Sequence, residues 1–299
     1  MNRLYGIRYH IMTLIAVFLS LGLGLLLGGT LGDEVIVKEQ VQLLEQLEER
    51  YTQTKADNAK LKKQNGELTR GQSLLEQVVA QVGGHYVKDR LAGKKVAVLQ
   101  LETLDLSGLL TELHAAGANV TSTVALTNVV PLLDTRQERL VQALGIQTTG
   151  DVKLVHTAFA ENLVRDLYLQ KGGAALNYLQ DSDALTASGD LGVRPDAVIL
   201  VGGAGNASKS RLQAVDLPLL KALQTQELNA ACVERSDVAH SGVSHYRELG
   251  FSTVDNIDQV TGLVALIDIL GGANGHFGVK KTAEALLPKV TTAKEVSAQ

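Results

Sequence analysis

The chain has 299 residues with a formal net charge of −4, one cysteine, no tryptophan and 4% aromatic residues. This balance argues against nucleic acid as a partner, because phosphate-backbone binders need a surplus of lysine and arginine. The single cysteine, Cys232, excludes a disulfide framework or a thiolate metal cage within one chain. The length allows one good-sized core with further elements around it.

Residues 11–32 form an uncharged, apolar stretch that is long enough to cross a membrane. A helix over this stretch spans roughly 30 Å of hydrocarbon. The apolar region of a signal peptide is shorter, about 7–15 residues, so the length favours an anchor that stays. Small residues at Gly28 and Gly29 leave cleavage open as the alternative. Gly24 and Gly28 form a small-xxx-small pair, which predicts close contact with a second membrane helix; the alternative is that glycine is simply common in such helices.

Charges on either side of this stretch predict its orientation. Arg3 and Arg8 precede it, while Asp33 and Glu34 follow it. Because positively charged residues stay on the cytoplasmic side, the N-terminus is expected in the cytoplasm and the bulk of the chain outside. The sequence therefore predicts a protein that crosses the cell membrane once.

The next stretch carries a seven-residue repeat that is typical of a parallel, two-stranded coiled coil. Leucine occupies four d positions and asparagine two a positions. A buried asparagine at an a position pairs with its mate and fixes register and strand number. The alternative is a single amphipathic helix lying on its own globular domain. The seam residues expected to hold a homodimer are Leu44, Leu47, Asn58, Leu61, Asn65, Leu68 and Leu75.

Beyond the repeat, short apolar runs alternate with helical patterns. Lys94–Leu101 and Pro195–Gly203 are typical of buried strands. One long helix is predicted from Ala158 to about Gln180, and another opens at Asp255 and Asp258, whose carboxylates suit a helix N-terminus. This alternation predicts an α/β fold with a mostly parallel, Rossmann-like sheet. The predicted organisation is a cytoplasmic N-terminus 1–10, a transmembrane helix 11–32, a coiled coil 33–83, an extracytoplasmic α/β domain 84–290 and a flexible tail 291–299.

The loop Gly203–Ser210 nearly matches a phosphate-binding loop. Ser208 replaces its second essential glycine, and a side chain there narrows the turn, so nucleotide hydrolysis is not expected. One hypothesis places a small-molecule pocket at Gly202, Gly203 and Asn206, because ligands bind at the carboxyl ends of parallel strands. A plain strand-to-helix turn is the alternative. The chain has no dinucleotide fingerprint and no nucleophile elbow, so no enzyme activity is predicted.

Copper chemistry has few ligands to draw on in this sequence. Copper(I) sites use clustered methionine and cysteine, and copper(II) sites favour several histidines. Met1 and Met12 are the only methionines, and Cys232 lies in an apolar run that predicts a buried thiol. His240 and His245 are the one close pair of histidines. They form the hypothetical metal site, and two unconnected loop histidines are the alternative.

Three stretches carry a resemblance to a known family. They are IRYHIMTLIAVFLSLGLGLLLG near the N-terminus, VDNIDQVTGLVALIDIL (Val254–Leu270) and HFGVKKTAEALLP (His276–Pro288). They resemble the MctB family, which is catalogued as copper transport proteins. The resemblance implies one membrane helix, a coiled coil, a Rossmann-like outer domain and a role in copper transport or homeostasis. Copper as a ligand is implied by the resemblance alone.

The same family includes SteB-type proteins, which look like partners of a cytoplasmic septation protein and a peptidoglycan hydrolase. That resemblance implies a different role, a cell-envelope scaffold that recruits a hydrolase during cell division. The two roles share a mechanism of presentation, in which an anchored stalk carries the outer domain to its partner.

Overall fold

The computed structural model describes residues 3–101, 104–134, 137–146, 151–203 and 209–289. The chain divides into two units, Met1–Leu75 and Glu76–Gln299. Helix α1 spans Arg3–Val87 without a break, over 85 residues. It continues past Gly83 and Gly84, where the sequence predicts the end of the coiled coil. A glycine ends a helix when it adopts the left-handed conformation, and neither Gly83 nor Gly84 has a positive φ.

Within the part of the chain that the structure describes, one helical segment is long and apolar enough to cross a membrane. It is Ile7–Gly29, with a mean hydropathy of 2.4 and no buried residues. The predicted span at residues 11–32 overlaps most of this segment. An apolar N-terminal helix is therefore confirmed.

A seven-stranded sheet forms the centre of the second unit, in the order β3-β2-β1-β4-β5-β6-β7. Among the described strands, only the pairing of β2 with β3 is antiparallel, so the predicted mostly parallel sheet is confirmed. The strands are β1 Lys95–Gln100, β2 Asn119–Leu126, β3 Leu185–Gly189, β4 Ala197–Val201, β5 Ala230–Val233, β6 Ser252–Val254 and β7 His276–Phe277.

Helices cover both faces of this sheet, and alternate strand residues point to each face. On β1, Ala97 and Leu99 join one buried cluster, while Val96 and Val98 join the other. Burial on both faces explains why the central strands read as continuous apolar runs. The helices after α1 are α2 Ser107–Ala115, α3 Val129–Asp134, α4 Gln137–Leu144, α5 Val152–Tyr168, α6 Ala174–Asp181, α7 Lys209–Arg211, α8 Leu217–Thr225, α9 Val243–Glu248 and α10 Val260–Gly271, with a π-helical stretch Leu212–Asp216 before α8.

The prediction of one long helix from Ala158 to Gln180 is wrong, because two helices occupy this stretch. Helix α5 ends at Tyr168, and α6 begins after Gly172, which has φ +74°, and Gly173. Asp166, which is buried, accepts hydrogen bonds from the first backbone N–H groups of α6, at 3.0 Å from Ala175. A side chain from α5 thus caps α6, so the break is specified by a contact between the two helices.

The predicted helix start at Asp255 and Asp258 is also wrong, because α10 begins at Val260. Asp255 follows β6 and is buried. Asp258 accepts hydrogen bonds from the backbone N–H and the hydroxyl of Ser236, both at 2.6 Å. The two carboxylates bind neighbouring loops and do not cap the helix.

Candidate functional site

The carboxyl ends of the strands carry a buried carboxylate, that of Glu234. Glu234 follows β5, and its side chain has no exposed surface. Its Oε1 accepts hydrogen bonds from Ser241 Oγ at 2.5 Å and from Lys280 Nζ at 2.6 Å. Its Oε2 accepts one from the backbone N–H of Gly242 at 3.0 Å. The buried charge is therefore both paired and hydrogen-bonded, as a stable buried carboxylate must be.

Lys280 reaches this carboxylate from a segment that we call the C-terminal strap, residues 278–287. Asp255 fixes the start of the strap by accepting hydrogen bonds from the backbone N–H groups of Val279 at 2.7 Å and Lys280 at 3.2 Å. Gly278 has φ +140°, and a Cβ at this position would overlap the Asp255 carboxylate. Glycine is therefore required before Val279, since any side chain would push the strap away from Asp255.

A second polar network lies at the carboxyl ends of β1 and β4, the neighbouring strands between which the strand order reverses. Arg211 donates hydrogen bonds to the carbonyl oxygens of Leu101 at 3.2 Å and Gly203 at 3.1 Å. It also pairs with Asp216 at 3.2 Å, and Tyr246 donates its hydroxyl to the same carboxylate at 2.7 Å. One guanidinium thus ties together the carboxyl ends of two neighbouring strands.

Burial dominates the electrostatics of this network. It raises the pKa of Asp216, although the charge of Arg211 and the hydrogen bond from Tyr246 act in the opposite direction. Burial also raises the pKa of Tyr246 well above its usual range, and the neighbouring Asp216 adds to the effect. The Tyr246 hydroxyl therefore keeps its proton and acts as a donor.

The predicted ligand residues lie beside these two networks. A Cβ on Gly202 would overlap the hydroxyl of Tyr246, and Gly203 has φ +75° and lies against Glu234. Both glycines are therefore explained by close packing. Asn206, the third predicted residue, lies outside the described residues.

A groove of about 600 Å³ lies on the opposite side from these networks, at the amino ends of β1, β4, β5 and β6. Its lining is mixed, and includes Lys94, Asp196, Asn229 and Ser252. The Lys94 ammonium donates to the carbonyl oxygen of Leu270, at the end of α10, at 2.7 Å. The groove thus lies at the amino ends of the strands, whereas parallel α/β sheets bind ligands at the carboxyl ends.

The structure places the predicted metal residues on the surface. His240 and His245 are exposed, and His245 Nδ1 lies 3.3 Å from the hydroxyl of its neighbour Ser244. Cys232 is fully buried, as predicted, and burial raises the pKa of its thiol well above the usual range. Among the described residues, no group of three or more histidine, cysteine, aspartate or glutamate side chains could hold a metal ion.

The predicted seam residues lie on α1 and present their side chains to solvent. The leucines of the seam are between 56% and 73% exposed in the single chain. Asn58 donates its side-chain amide to the Thr54 carbonyl of its own helix at 3.0 Å. In the apolar segment Ile7–Gly29, Gly24 and Gly28 line a shallow groove on one face of the helix, which small residues create. The seam residues are Leu44, Leu47, Asn58, Leu61, Asn65, Leu68 and Leu75.

Sequence reasoning missed the residues that build the two polar networks. Glu234 follows the apolar run that contains Cys232, and a carboxylate directly after a buried strand is a signal in itself. Lys280 lies within a stretch singled out only for its resemblance. Nothing local links Glu234 to Lys280, because 46 residues separate them.

Comparison with known proteins places the chain in a family. The family model described as "Copper transport outer membrane protein, MctB" matches residues 5–288. Proteins named copper transporter MctB from Mycobacterium bovis and from two strains of Mycobacterium tuberculosis are each 26% identical over 307 residues. Each alignment covers 91% of this chain and 96% of the relative. Since the match includes both the apolar helix and nearly all of the sheet domain, the chain belongs to the MctB family.

Proposed function

We propose that this chain is a membrane-anchored protein of copper transport or copper homeostasis. The family match carries the proposal, because it runs over residues 5–288. The alignment with the relatives named copper transporters covers 91% of this chain, so the similarity includes nearly the whole protein and not one part of it. The proposed role is that of a non-enzymatic binding protein with copper as cargo.

The proposed topology is a single pass with the N-terminus in the cytoplasm. An apolar helical segment at Ile7–Gly29 supports the pass. Arg3 before the segment, with Asp33 and Glu34 after it, supports the orientation. The sheet domain would then be extracytoplasmic. Attachment of a membrane-impermeant label to introduced cysteines on either side of the segment tests this arrangement.

We further propose that the stalk is a parallel homodimeric coiled coil. Exposed leucines at heptad spacing support it, because a lone helix would leave this apolar stripe in water. In the dimer, Asn58 would exchange its bond to Thr54 for one across the seam. Two outer domains on one stalk would bind a repeated partner with avidity.

For the outer domain we propose a Rossmann-like relationship. The order β3-β2-β1-β4-β5-β6-β7 supports it, because the chain turns back between β1 and β4, as in doubly wound folds. The antiparallel β3 departs from the simplest form of that fold.

Copper titration of the purified full-length protein in detergent is the first test at the molecular level. Stoichiometric binding that is lost in His240→Ala/His245→Ala would establish these histidines as ligands. His114→Ala is the matched control, because His114 is exposed and lies on α2, away from this pair in sequence. Binding that survives the double substitution would exclude the pair.

Deletion of the gene tests the function in the cell. Changed copper content or copper tolerance with normal septa would support the transport role. Chained cells with unchanged copper content would support the envelope scaffold instead and would overturn the proposal. Complementation with a chain in which Leu61→Asp and Leu68→Asp are combined would show whether either role needs the dimeric stalk.

A further inference from the structure

The C-terminal strap (278–287) adds little apolar surface to the core. Phe277 is the last buried hydrophobic side chain among the described residues. In the strap itself, Val279 is 53% exposed, Leu286 46% and Leu287 37%. Because apolar burial is the main source of local stability, the attachment of the strap must come from polar contacts.

Polar contacts hold the end of the strap, and they include a backbone hydrogen bond from the Glu284 N–H to the His276 carbonyl oxygen at 2.7 Å. Arg247 pairs with Glu284 at 2.8 Å and donates to the Thr282 carbonyl oxygen at 3.3 Å. The backbone of Ala285 lies beside Phe277 as an added bridge at the edge of β7. The end of the strap therefore pairs with the sheet edge, as a bound peptide can, and a turn at residues 281–282 lies between this pairing and Lys280.

Lys280 is the strap side chain that reaches into the domain. Its ammonium donates to Glu234 Oε1 at 2.6 Å and to the carbonyl oxygen of Arg235 at 2.9 Å. Both acceptors belong to the segment that follows β5. Ser241 and Gly242, which hold the Glu234 carboxylate from the other side, also lie outside the strap. The acceptors thus form a pocket whose walls do not depend on the strap.

We propose that Glu234 and the Arg235 carbonyl form a cation-binding pocket that Lys280 occupies in this structure. When the strap lifts, Lys280 leaves and the pocket takes a lysine side chain of a partner peptide. Lifting uncovers a buried carboxylate and the free edge of β7 together. A basic peptide satisfies both, because its backbone can pair with the edge while its ammonium replaces that of Lys280. The proposal goes beyond the copper role and does not depend on it.

Hydrogen exchange of the full-length protein in detergent tests the displaceable strap. In Lys280→Ala, the amides of Val279 and residue 280, which bond to Asp255, are expected to exchange about tenfold faster or more, because the pair that anchors them is lost. Lys281→Ala is the matched control, since Lys281 is exposed and is expected to leave the exchange unchanged. Unchanged exchange in Lys280→Ala would overturn the proposal.

A synthetic peptide with the strap sequence GVKKTAEALL tests the pocket. We expect it to bind the Lys280→Ala protein, and we expect a peptide with norleucine in place of the first lysine to bind at least about tenfold more weakly. Equal binding of the two peptides, or binding that survives Glu234→Gln, would overturn the proposal.

The wild-type chain supplies a measurement that does not depend on the folding of any variant. In increasing urea, the strap amides are expected to exchange through a local opening. This opening should expose less surface and require less free energy than global unfolding. If these amides exchange only when the whole domain unfolds, the strap does not lift and the proposal fails.

Discussion

Tyr246 donates its hydroxyl to Asp216 across 2.7 Å, and both side chains are buried. In Tyr246→Phe this carboxylate loses a donor that water cannot replace. We expect the free energy of unfolding to fall by about 1–3 kcal/mol. Urea unfolding followed by circular dichroism measures it, and an unchanged slope with denaturant would identify a change in stability alone.

Tyr168→Phe is the matched control for this hydrogen bond. Tyr168 is also fully buried, but its hydroxyl has no hydrogen-bond partner among the described residues. Removal of an unpartnered buried hydroxyl is expected to be neutral or stabilising. Equal destabilisation by the two substitutions would show that the packing contacts of the hydroxyl oxygen, and not the bond to Asp216, account for the loss.

Gly262 predicts a second effect on stability. It lies in α10, and a Cβ there would overlap the backbone of Asn256. Because backbone atoms cannot swing aside as a flexible side chain does, we expect Gly262→Ala to destabilise the domain by about 1–3 kcal/mol. Gly108→Ala is the control, since Gly108 lies in α2 with open space around it. The control is expected to gain up to about 1 kcal/mol.

The unfolding free energy should depend on pH through two histidines. Burial lowers the pKa of His156, opposed by Asp134, and lowers that of His276, where Arg247 adds to the effect and Glu284 opposes it. The unfolded pKa of about 6.5 is therefore higher than the folded one. Below about pH 6.5 the unfolded state binds more protons, so stability is lost as the pH falls through this range.

Urea midpoints measured between pH 7.5 and 5.5 test this dependence. In His156→Gln/His276→Gln the slope with pH should be smaller than in the wild type. His114→Gln, on the exposed side of α2, should leave the slope unchanged. If stability is flat with pH in the wild type, the burial of these imidazoles does not control their protonation.

The proposed coiled coil predicts a change in oligomeric state. Leu61 and Leu68 are exposed in the single chain and lie at d positions. In Leu61→Asp/Leu68→Asp, carboxylates would enter the seam, so we expect the dimer to dissociate into monomers. Ala56→Asp introduces the same charge at an outward-facing f position and should leave the dimer intact. Sedimentation equilibrium in detergent distinguishes the outcomes, and a wild-type monomer would contradict the proposed stalk.

Local pattern was enough to predict much of this fold. The apolar helix near the N-terminus, and strands such as β1 and β4, follow from residues that are adjacent in sequence. A strand buried on both faces must be apolar throughout, and a membrane helix must be apolar over its whole length. These elements could be predicted from the sequence because the continuous apolar run that each one requires lies within the element itself.

The strands β6 and β7 carry no such pattern because they contain three and two residues, and β3 carries none because four of its five residues are exposed. Hydrogen bonds to neighbouring strands create them. Asp255 shows the same limit, since its partners, the N–H groups of Val279 and Lys280, lie more than 20 residues away. A carboxylate before a helix has the same local signal whether it caps that helix or holds a distant strap.

The sequence by itself determined that this chain has an apolar N-terminal helix, a heptad pattern and a mostly parallel α/β domain. Only the tertiary structure decided which polar side chains meet. Glu234 and Lys280 are paired because the strap after β7 and the residues after β5 both lie at the carboxyl ends of the strands. Hydrophobic periodicity is a local property, whereas the pairing of buried charges depends on strand order, which no short stretch of sequence specifies.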